Sequence, residues 1–182
     1  MATMALDLQH IRVLVADGNT YFQSIMLGIL HAFGARNVTA VACGASALEC
    51  SRQTVTDLVI CDAALPAVDG FDLVHSIRSE HGNPNRYTPI IVLTSHAQAG
   101  NVTRARDCGA NIVLAKPLSP NALYQRLVWI TEDPRRFVIA PGYIGPDRRF
   151  KADDLPAGGD RRGAKPPAPA PAAAPPLQMA LQ

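Results

Sequence analysis

Aromatic residues, long apolar runs and paired cysteines are all scarce in this chain of 182 residues. Phe, Tyr and Trp make up 5% of it, and no segment approaches the roughly 18–20 consecutive apolar residues of a membrane span. The four cysteines, at positions 43, 50, 61 and 108, form no CxxC pair and no metal-ligand spacing, which argues against a disulfide framework and a zinc site. The first ten residues lack the basic and apolar regions of a secretory signal. We therefore predict a soluble cytoplasmic protein with reduced thiols.

Charge is small in total, +2, but uneven along the chain. Residues 1–133 carry 9 Lys and Arg against 11 Asp and Glu, whereas residues 134–165 carry 8 against 4. Residues 166–176 consist of Pro and Ala alone. This pattern predicts a globular domain at 1–133, a basic Arg- and Asp-rich extension at 134–163 and a disordered Pro- and Ala-rich tail at 164–182. The basic extension points to an anionic partner.

Apolar runs and amphipathic segments alternate through the globular part. Short apolar runs bounded by turn signals are typical of buried parallel strands. The predicted strands cover residues 11–16, 38–41, 58–61, 89–93 and 112–115. The predicted helices cover residues 20–33, 45–53, 70–80, 101–108 and 120–131. On the first helix, the residues expected to face the sheet are Phe22, Ile25, Met26, Ile29 and Leu30. Five βα units predict a doubly wound α/β fold with a parallel sheet.

Four polar residues follow apolar runs in four of the predicted strands: Asp17, Asp62, Thr94 and Lys116. In an open parallel sheet, ligands bind at the edge where the carboxyl ends of the strands lie. The pattern therefore brings two carboxylates, a hydroxyl and an ammonium to one edge. Each residue alone has an ordinary interpretation, as a turn residue, a helix cap or a solvated lysine. Together, on consecutive core strands, they favour a site for a divalent cation and a phosphoryl group.

The chemistry of this set suits phosphoryl transfer. Asp62 is the candidate nucleophile, because a carboxylate can accept a phosphoryl group as an acyl phosphate. Asp17 supplies a second carboxylate for Mg²⁺, which carboxylates, other oxygens and water commonly hold. Lys116 can pair with one phosphoryl oxygen, and the Thr94 hydroxyl can donate a hydrogen bond to another. The Lys116–Pro117 bond is a candidate cis peptide.

The stretches VLVADGN, ICDAALPAVDGFDLV, PIIVLTSHA and VLAKPLS occur in this order within residues 11–130. In these stretches the chain resembles the response-regulator receiver family, the CheY-like domains of two-component systems. The resemblance implies a flavodoxin-like fold whose parallel sheet has the strand order 2-1-3-4-5. It also implies a role in signal transduction rather than an enzymatic activity.

The resemblance further implies roles for individual residues. Asp62 corresponds to the phospho-acceptor of the family, Thr94 to its switch hydroxyl and Lys116 to its invariant lysine. Asp17 corresponds to the first of two acidic residues at the Mg²⁺ site. The backbone carbonyl of Ala64 corresponds to a further metal ligand.

Two positions depart from the family pattern. Gly18 stands where the family has its second acidic residue, a close Mg²⁺ ligand, so Mg²⁺ binding is expected to be weakened. Val113 stands where the family often has an aromatic residue that moves together with the switch hydroxyl. Pro66 and Gly70, by contrast, match the loop that shapes the far side of the acceptor.

The function implied by the resemblance is that of a single-domain response regulator. It would accept a phosphoryl group on Asp62 from a histidine kinase or phosphotransfer protein. It would then signal through protein contacts, with a target surface at about residues 97–130. The departures at Gly18 and Val113 leave an alternative open, a phosphorylation-independent CheY-like binding module.

The basic extension repeats the triplet Asp-Arg-Arg. Arginine forks bind phosphates and stack on bases, which makes Arg148, Arg149, Arg161 and Arg162 candidate nucleotide contacts. The extension resembles the Arg-rich tails of CheY-like proteins that bind cyclic di-GMP and dock on flagellar motors, which implies cyclic di-GMP or a motor or kinase partner. A solvated linker is an equally open interpretation. DNA binding is not expected, because no helix-turn-helix pattern is present.

Overall fold

The computed structural model describes residues 6–95, 104, 107–133 and 135–147 of the chain. At its centre lies a five-stranded parallel sheet with the order β2-β1-β3-β4-β5. The strands are β1 (Arg12–Ala16), β2 (Asn37–Val41), β3 (Leu58–Asp62), β4 (Ile90–Thr94) and β5 (Ile112–Ala115). This order confirms the predicted flavodoxin-like topology.

Helices cover both faces of the sheet. Those within the described residues are α1 (Thr20–Ala32), α2 (Gly44–Gln53), α3 (Gly70–Ser79) and α4 (Pro120–Glu132). The helix predicted at 101–108 falls largely outside the described residues, although Arg104 and Asp107 are helical. None of the helices in the described ranges combines the length and the apolar character that crossing a bilayer requires.

The inner strands are buried because each is enclosed by two neighbours and two helical layers. All residues of β3 and β4 are buried, as are the last four residues of β1. The outer strands β2 and β5 keep part of their surface in contact with water. One core cluster joins the sheet to α1 and α4, and the other joins it to α2 and α3. Continuous apolar runs predict this two-sided burial.

The face that α1 buries differs from the prediction at one residue. Met26 and Leu30 are fully buried, and Phe22 and Ile29 pack against the same core. Ile25, which was expected among them, is 43% exposed. With about 3.6 residues per turn, Ile25 lies roughly a quarter turn from the centre of the buried stripe. The stripe of apolar residues on α1 is therefore wider than the face of the helix that packs against the sheet.

The first part of the basic extension forms a β-hairpin. Strands β6 (Phe137–Ala140) and β7 (Tyr143–Pro146) pair antiparallel across the turn Pro141-Gly142. Gly142 has a φ of 76°, a left-handed conformation that glycine adopts without steric cost. The sequence pattern predicts no regular element in residues 134–163, and the hairpin corrects this for residues 137–146. A solvated linker is therefore not an adequate description of this part of the extension.

The hairpin packs against the α/β domain at the amino-terminal edge of the sheet. Gly145 of β7 lies against Gly109, in the turn before β5, so closely that a Cβ atom on either residue would meet backbone of the other segment. The Phe137 ring meets the Tyr87 ring edge to face, with centroids 5.5 Å apart. These contacts make the hairpin part of the packed unit.

Arg78, near the end of α3, lies beneath this hairpin and is 1% exposed. Its guanidinium donates to the carbonyls of Gly109 (3.1 Å) and Arg86 (2.7 Å) and to Asn111 Oδ1 (3.1 Å). It also lies 4.9 Å from the Phe137 ring centroid. Burial lowers the pKa of Arg78 to about 9. The hydrogen bonds compensate the lost hydration, and the Phe137 ring covers the cation.

The four cysteines are all free thiols. Cys61 and Cys108 are buried, and burial raises the pKa of both thiols. Burial and the raised pKa keep them protonated and unreactive. The absence of disulfides among the four cysteines agrees with the prediction of reduced thiols.

Candidate functional site

The polar residues that follow the strands lie at the carboxyl edge of the sheet, and three of them are in direct contact. Asp62 and Thr94 end β3 and β4, while Asp17 and Lys116 directly follow β1 and β5. Lys116 Nζ lies 2.6 Å from Asp17 Oδ2 and 2.9 Å from Asp62 Oδ2. A single ammonium thus bridges two carboxylates. The Lys116–Pro117 bond is cis, as predicted.

Asp17 is the most enclosed residue of the site, with 1% of its surface exposed. Its Oδ1 accepts a hydrogen bond from the Asn19 N–H at 2.8 Å, while its Oδ2 faces the ammonium. Its backbone carbonyl accepts from Gln23 Nε2, and its N–H donates to the Val41 carbonyl. A buried carboxylate is tolerated only when paired and hydrogen-bonded, and Asp17 meets both conditions.

Asp62 and Thr94 stand side by side on neighbouring strands. Asp62 pairs in the β ladder with Leu93, so Thr94 is the next residue along β4. Asp62 Oδ1 accepts a hydrogen bond from the Ala64 N–H at 3.3 Å. The Thr94 carbonyl accepts from the Lys116 N–H at 2.8 Å. Backbone hydrogen bonding therefore ties the ends of β3 and β4 and Lys116 into one edge.

The loop between β3 and α3 packs tightly over this edge. A Cβ atom at Gly18 would lie 3.0 Å from Cδ of Pro66, and one at Gly70 would meet the Asp62 carbonyl. Gly44, at the start of α2, approaches Val68 of the same loop just as closely. The loop therefore packs closely against Gly18 of the β1–α1 loop, Gly44 at the start of α2 and Gly70 at the start of α3. The space beside Asp17, where a second acidic side chain would begin, is bounded by the Pro66 ring.

Phe22 is a residue of the site that the sequence analysis assigned only to the core. Its ring centroid lies 4.0 Å from Lys116 Nζ. The cap of α1 puts it there, because the Asn19 side chain accepts hydrogen bonds from the N–H groups of Tyr21 and Phe22. An apolar residue on the buried face of a helix carries no sequence signal that separates core packing from contact with a cation.

The donor set suits a hard divalent cation, because oxygens of Asp17 and Asp62 converge on one cationic point, the Lys116 ammonium. Mg²⁺ is commonly held by one or two carboxylates together with other oxygens and water. Over the described ranges, no three His, Cys, Asp or Glu side chains form a group able to hold a metal ion. A Mg²⁺ site here would therefore use two carboxylates, a backbone oxygen such as the Ala64 carbonyl, and water.

The remaining predicted site residues lie elsewhere. Arg148, Arg149, Arg161 and Arg162 lie outside the described residues, as does part of the predicted target surface at 97–130. Val113 is described and partly exposed on β5. Asp147, the first residue of the first Asp-Arg-Arg triplet, donates its N–H to the Arg136 carbonyl at 2.8 Å.

Comparison with known proteins explains the arrangement at this edge. The family model for the response regulator receiver domain matches residues 13–128, well over half of the chain. The chain belongs to the response regulator receiver family. Receiver domains are in general non-enzymatic modules of two-component signalling, and they interact with histidine kinases or phosphotransfer proteins.

Curated relatives share this receiver region. The transcriptional regulatory protein PdtaR of Mycobacterium tuberculosis is 36% identical over 108 residues, which are 59% of this chain and 50% of PdtaR. A probable chemotaxis protein CheY of Rhizobium etli is 30% identical over 112 residues, 61% of this chain and 84% of that protein. The chain thus spans about half the length of PdtaR.

Solved receiver structures have the same fold. The receiver domain of the sensor histidine kinase PA1611 of Pseudomonas aeruginosa, described with a magnesium ion coordinated in its active site cleft, is 31% identical. The matched region covers 65% of this chain and 94% of the PA1611 receiver domain, and the TM-score is 0.59. The chemotaxis response regulator CheY4 of Vibrio cholerae is 26% identical over 65% of this chain and 96% of its own, also with a TM-score of 0.59.

Proposed function

We propose that this receiver accepts a phosphoryl group on Asp62 within a two-component phosphorelay and signals through protein contacts. One observation carries the proposal: Lys116 Nζ lies within 2.9 Å of Asp62 Oδ2 and 2.6 Å of Asp17 Oδ2. A carboxylate held beside a fixed ammonium is a nucleophile with a counter-charge already in place for the incoming phosphoryl oxygens.

In the proposed reaction, an oxygen of Asp62 attacks the phosphorus of a phosphohistidine on the donor protein. The new P–O bond gives an aspartyl phosphate, the P–N bond breaks, and the imidazole leaves with the electron pair. Lys116, held between the two carboxylates, would direct its remaining N–H donor to a phosphoryl oxygen. The Thr94 hydroxyl, one residue beyond the ladder partner of Asp62, would donate to another.

Mg²⁺ would be held by Asp17, Asp62 and the Ala64 carbonyl, and it would neutralise charge on the transferring phosphoryl group. The chain holds one carboxylate fewer than the usual receiver, because Gly18 replaces the second acidic residue. The PA1611 receiver, whose structure is described with Mg²⁺ in its cleft, supports a metal role in the family. For this chain we expect Mg²⁺ to bind with lower affinity.

The donor protein must approach this edge, and α1 offers an uncharged surface beside it. The helix contains no Lys, Arg, Asp or Glu, and Tyr21 and Ile25 are 74% and 43% exposed. We therefore propose that the first two turns of α1 contact the histidine kinase or phosphotransfer protein. The exposure of Ile25, which a role in the domain core does not explain, supports this surface.

A contact variant separates donor binding from site chemistry. Ile25→Glu is expected to slow phosphorylation by the protein donor at least tenfold, because a charge would be desolvated at the interface. It should leave phosphorylation by acetyl phosphate unchanged. Gln53→Glu, on the exposed end of α2, serves as the control. Equal loss with both donors would contradict the assigned surface.

Nuclear magnetic resonance tests the proposed site directly. Beryllofluoride imitates a phosphoryl group on a carboxylate, so its addition with Mg²⁺ to the full chain should shift the amide signals of Asp62, Thr94 and Lys116. Asp62→Asn should abolish the shifts, whereas Asp72→Asn, which removes an exposed carboxylate of α3, should preserve them. Absence of shifts in the wild type and in Gly18→Asp alike would contradict the proposal.

A second candidate function places an anionic nucleotide such as cyclic di-GMP on the extension. The hairpin supports it, because Asp147 is fixed to Arg136 and the first Asp-Arg-Arg triplet therefore starts from a packed segment. On this alternative the receiver is a phosphorylation-independent platform for the nucleotide or for a motor or kinase partner. Calorimetry with cyclic di-GMP on the full chain and on Arg148→Ala/Arg161→Ala tests it. Binding that persists unchanged in that variant, or no binding at all, would contradict it.

A further inference from the structure

The Lys116 ammonium contacts three groups, and only two of them are carboxylates. Besides Asp17 and Asp62, it lies 4.0 Å from the centroid of the Phe22 ring. The lysine side chain is only 12% exposed. A cation within about 6 Å of an aromatic face is attracted by the ring quadrupole, and more strongly where water is excluded. Phe22 is thus an electrostatic partner of Lys116 as well as a core residue.

The position of Phe22 is coupled to Asp17 through the start of α1. One oxygen of Asp17 faces the Lys116 ammonium, while the other accepts the Asn19 N–H. The Asn19 side chain in turn accepts the N–H of Phe22 at 3.2 Å. The carboxylate that binds the ammonium therefore also holds the helix turn that carries the ring. Two of the three groups around the cation, Asp17 and Phe22, are thus positioned by one chain of hydrogen bonds.

An aromatic ring is suited to this place because it holds a cation without taking a hydrogen bond. An ammonium has three N–H donors, and each carboxylate can accept one. A third carboxylate would compete for the remaining donor, whereas a phenyl ring leaves it available to a phosphoryl oxygen. Since Gly18 removes one anion from this edge, the two remaining carboxylates are balanced largely by Lys116. The placement of this ammonium therefore matters more here than beside an acidic pair.

We propose that Phe22 is a positioning residue that holds the Lys116 ammonium between Asp17 and Asp62, ready for a phosphoryl oxygen. The contact of Lys116 with a phosphoryl oxygen rests on the proposed function. The enclosure of the Lys116 ammonium by Phe22, Asp17 and Asp62 concerns the unmodified protein and can be tested without any phosphoryl group.

The first measurement follows Lys116 itself by nuclear magnetic resonance. The chain has three lysines, Lys116, Lys151 and Lys165, so the ε-CH₂ signal of Lys116 can be assigned by its loss in Lys116→Arg. In the wild type, the ring current of Phe22 should shift this signal upfield from those of the other two lysines. Phe22→Leu should remove the shift. Phe33→Leu, the same substitution at the other end of α1, should retain it.

The second measurement is the affinity for beryllofluoride in the presence of Mg²⁺. Phe22→Leu is expected to bind about fivefold more weakly, the loss of one cation–π contact. Phe22→Tyr, which keeps a ring, should restore the wild-type affinity, and Phe33→Leu should not change it. A merely structural role would lower the unfolding midpoint of both Leu variants and leave this affinity unchanged.

The outcomes separate the two proposals. An unshifted Lys116 signal in the wild type, or wild-type affinity in Phe22→Leu, overturns the role of Phe22. A wild type that binds no beryllofluoride at any Mg²⁺ concentration overturns the proposed function instead. In that case the lysine signal alone decides whether Phe22 holds the ammonium.

Discussion

Lys116 and Asp17 stabilise each other in a part of the molecule that water barely reaches. Their side chains are 12% and 2% exposed, and the distance between the charged atoms is 2.6 Å. Removing one partner of such a pair leaves an uncompensated buried charge, which costs more than the pair itself contributes. The two residues therefore matter for folding as well as for the proposed chemistry.

We predict that Lys116→Met lowers the free energy of unfolding at neutral pH by about 3 kcal/mol. The double variant Asp17→Asn/Lys116→Met should recover much of this loss, because Asp17, the more deeply buried of the two carboxylates that Lys116 contacts, is then no longer an unpaired charge. Urea unfolding measures both. Arg12→Met, which breaks the more exposed pair with Asp57, should cost less than about 1 kcal/mol and serves as the control. A loss for Lys116→Met no larger than this control would contradict the prediction.

Gly18 offers a second test at the scale of one residue. We predict that Gly18→Asp strengthens Mg²⁺ binding about tenfold, because affinity for hard cations rises with the number of charged ligands. The new side chain must displace the Pro66 ring slightly, since Cδ of Pro66 lies 3.0 Å from the required Cβ position.

Gly18→Asn isolates the charge from that steric effect, because it has nearly the same shape. Calorimetric titration with Mg²⁺ compares the two variants with the wild type. Equal affinities for the Asp and Asn variants would show that position 18 does not face the metal.

The roles of residues at this edge could be predicted only in part from the sequence. Asp17, Asp62, Thr94 and Lys116 are visible because each follows an apolar run, and parallel strands align such positions at one edge. Phe22 could not be recognised, since a buried apolar residue on a helix has the same sequence signal with or without a cation beside it. The contact between Gly18 and Pro66 could not be recognised either, because it depends on how the β3–α3 loop folds back.

Helices begin where a side chain accepts hydrogen bonds from backbone N–H groups of the first turn. At the start of α3, this capping interaction should make the stability of the protein depend on pH. Asp69 caps α3 by accepting the Asp72 N–H and pairs with Arg104 at 2.6 Å. Burial acts to raise the pKa of Asp69, but the Asp72 N–H and the Arg104 guanidinium outweigh it and hold the pKa below its usual range.

A carboxyl whose pKa is lowered by folding stabilises the protein above its unfolded pKa, and this contribution is lost as the pH falls through the folded value. We therefore predict that Asp69→Ala costs about 1 kcal/mol at pH 7 and distinctly less near pH 3. Urea unfolding of both proteins at the two pH values measures the difference. A cost that does not change with pH would contradict the assignment of the cap to the ionised carboxylate.

The hairpin is the element that the sequence analysis missed. Its strands have four residues each, too short for a period to be evident. The Pro-Gly dipeptide between two apolar runs is nonetheless a turn signal that could have found it. The basic charge of residues 134–163 and their many Gly, Pro and Asp residues instead favour the prediction of an extension without regular structure. The contacts that hold the hairpin on the domain, Gly145 with Gly109 and Phe137 with Arg78, join residues that are far apart in the sequence. No local sequence pattern therefore indicates them.

Truncation tests whether the hairpin belongs to the folded unit. A chain ending at residue 147 should unfold with the same free energy as the full chain. A chain ending at residue 133 should lose about 2–4 kcal/mol, because it exposes the buried Arg78 guanidinium and the apolar contacts of Phe137. Urea unfolding of the three proteins decides it. Equal stability of the two truncated chains would place the hairpin outside the packed unit.

Across the whole molecule, the proposed site and the hairpin lie at opposite edges of one sheet. The site occupies the carboxyl ends of β1, β3, β4 and β5, whereas the hairpin packs on the turns that precede β4 and β5. The described part of the basic extension, residues 135–147, therefore lies on the side of the receiver away from Asp62. The hairpin therefore does not cover the site that a phosphoryl donor would reach.

Chemical trapping of the product shows whether Asp62 accepts a phosphoryl group. The full chain is incubated with acetyl phosphate and Mg²⁺, reduced with borohydride, and mapped by peptide mass spectrometry. We predict that Asp62 is converted to homoserine, the reduction product of an aspartyl phosphate, and that Asp17 and Asp69 are unchanged. An unmodified Asp62 in both the wild type and Gly18→Asp, at high Mg²⁺, would contradict it.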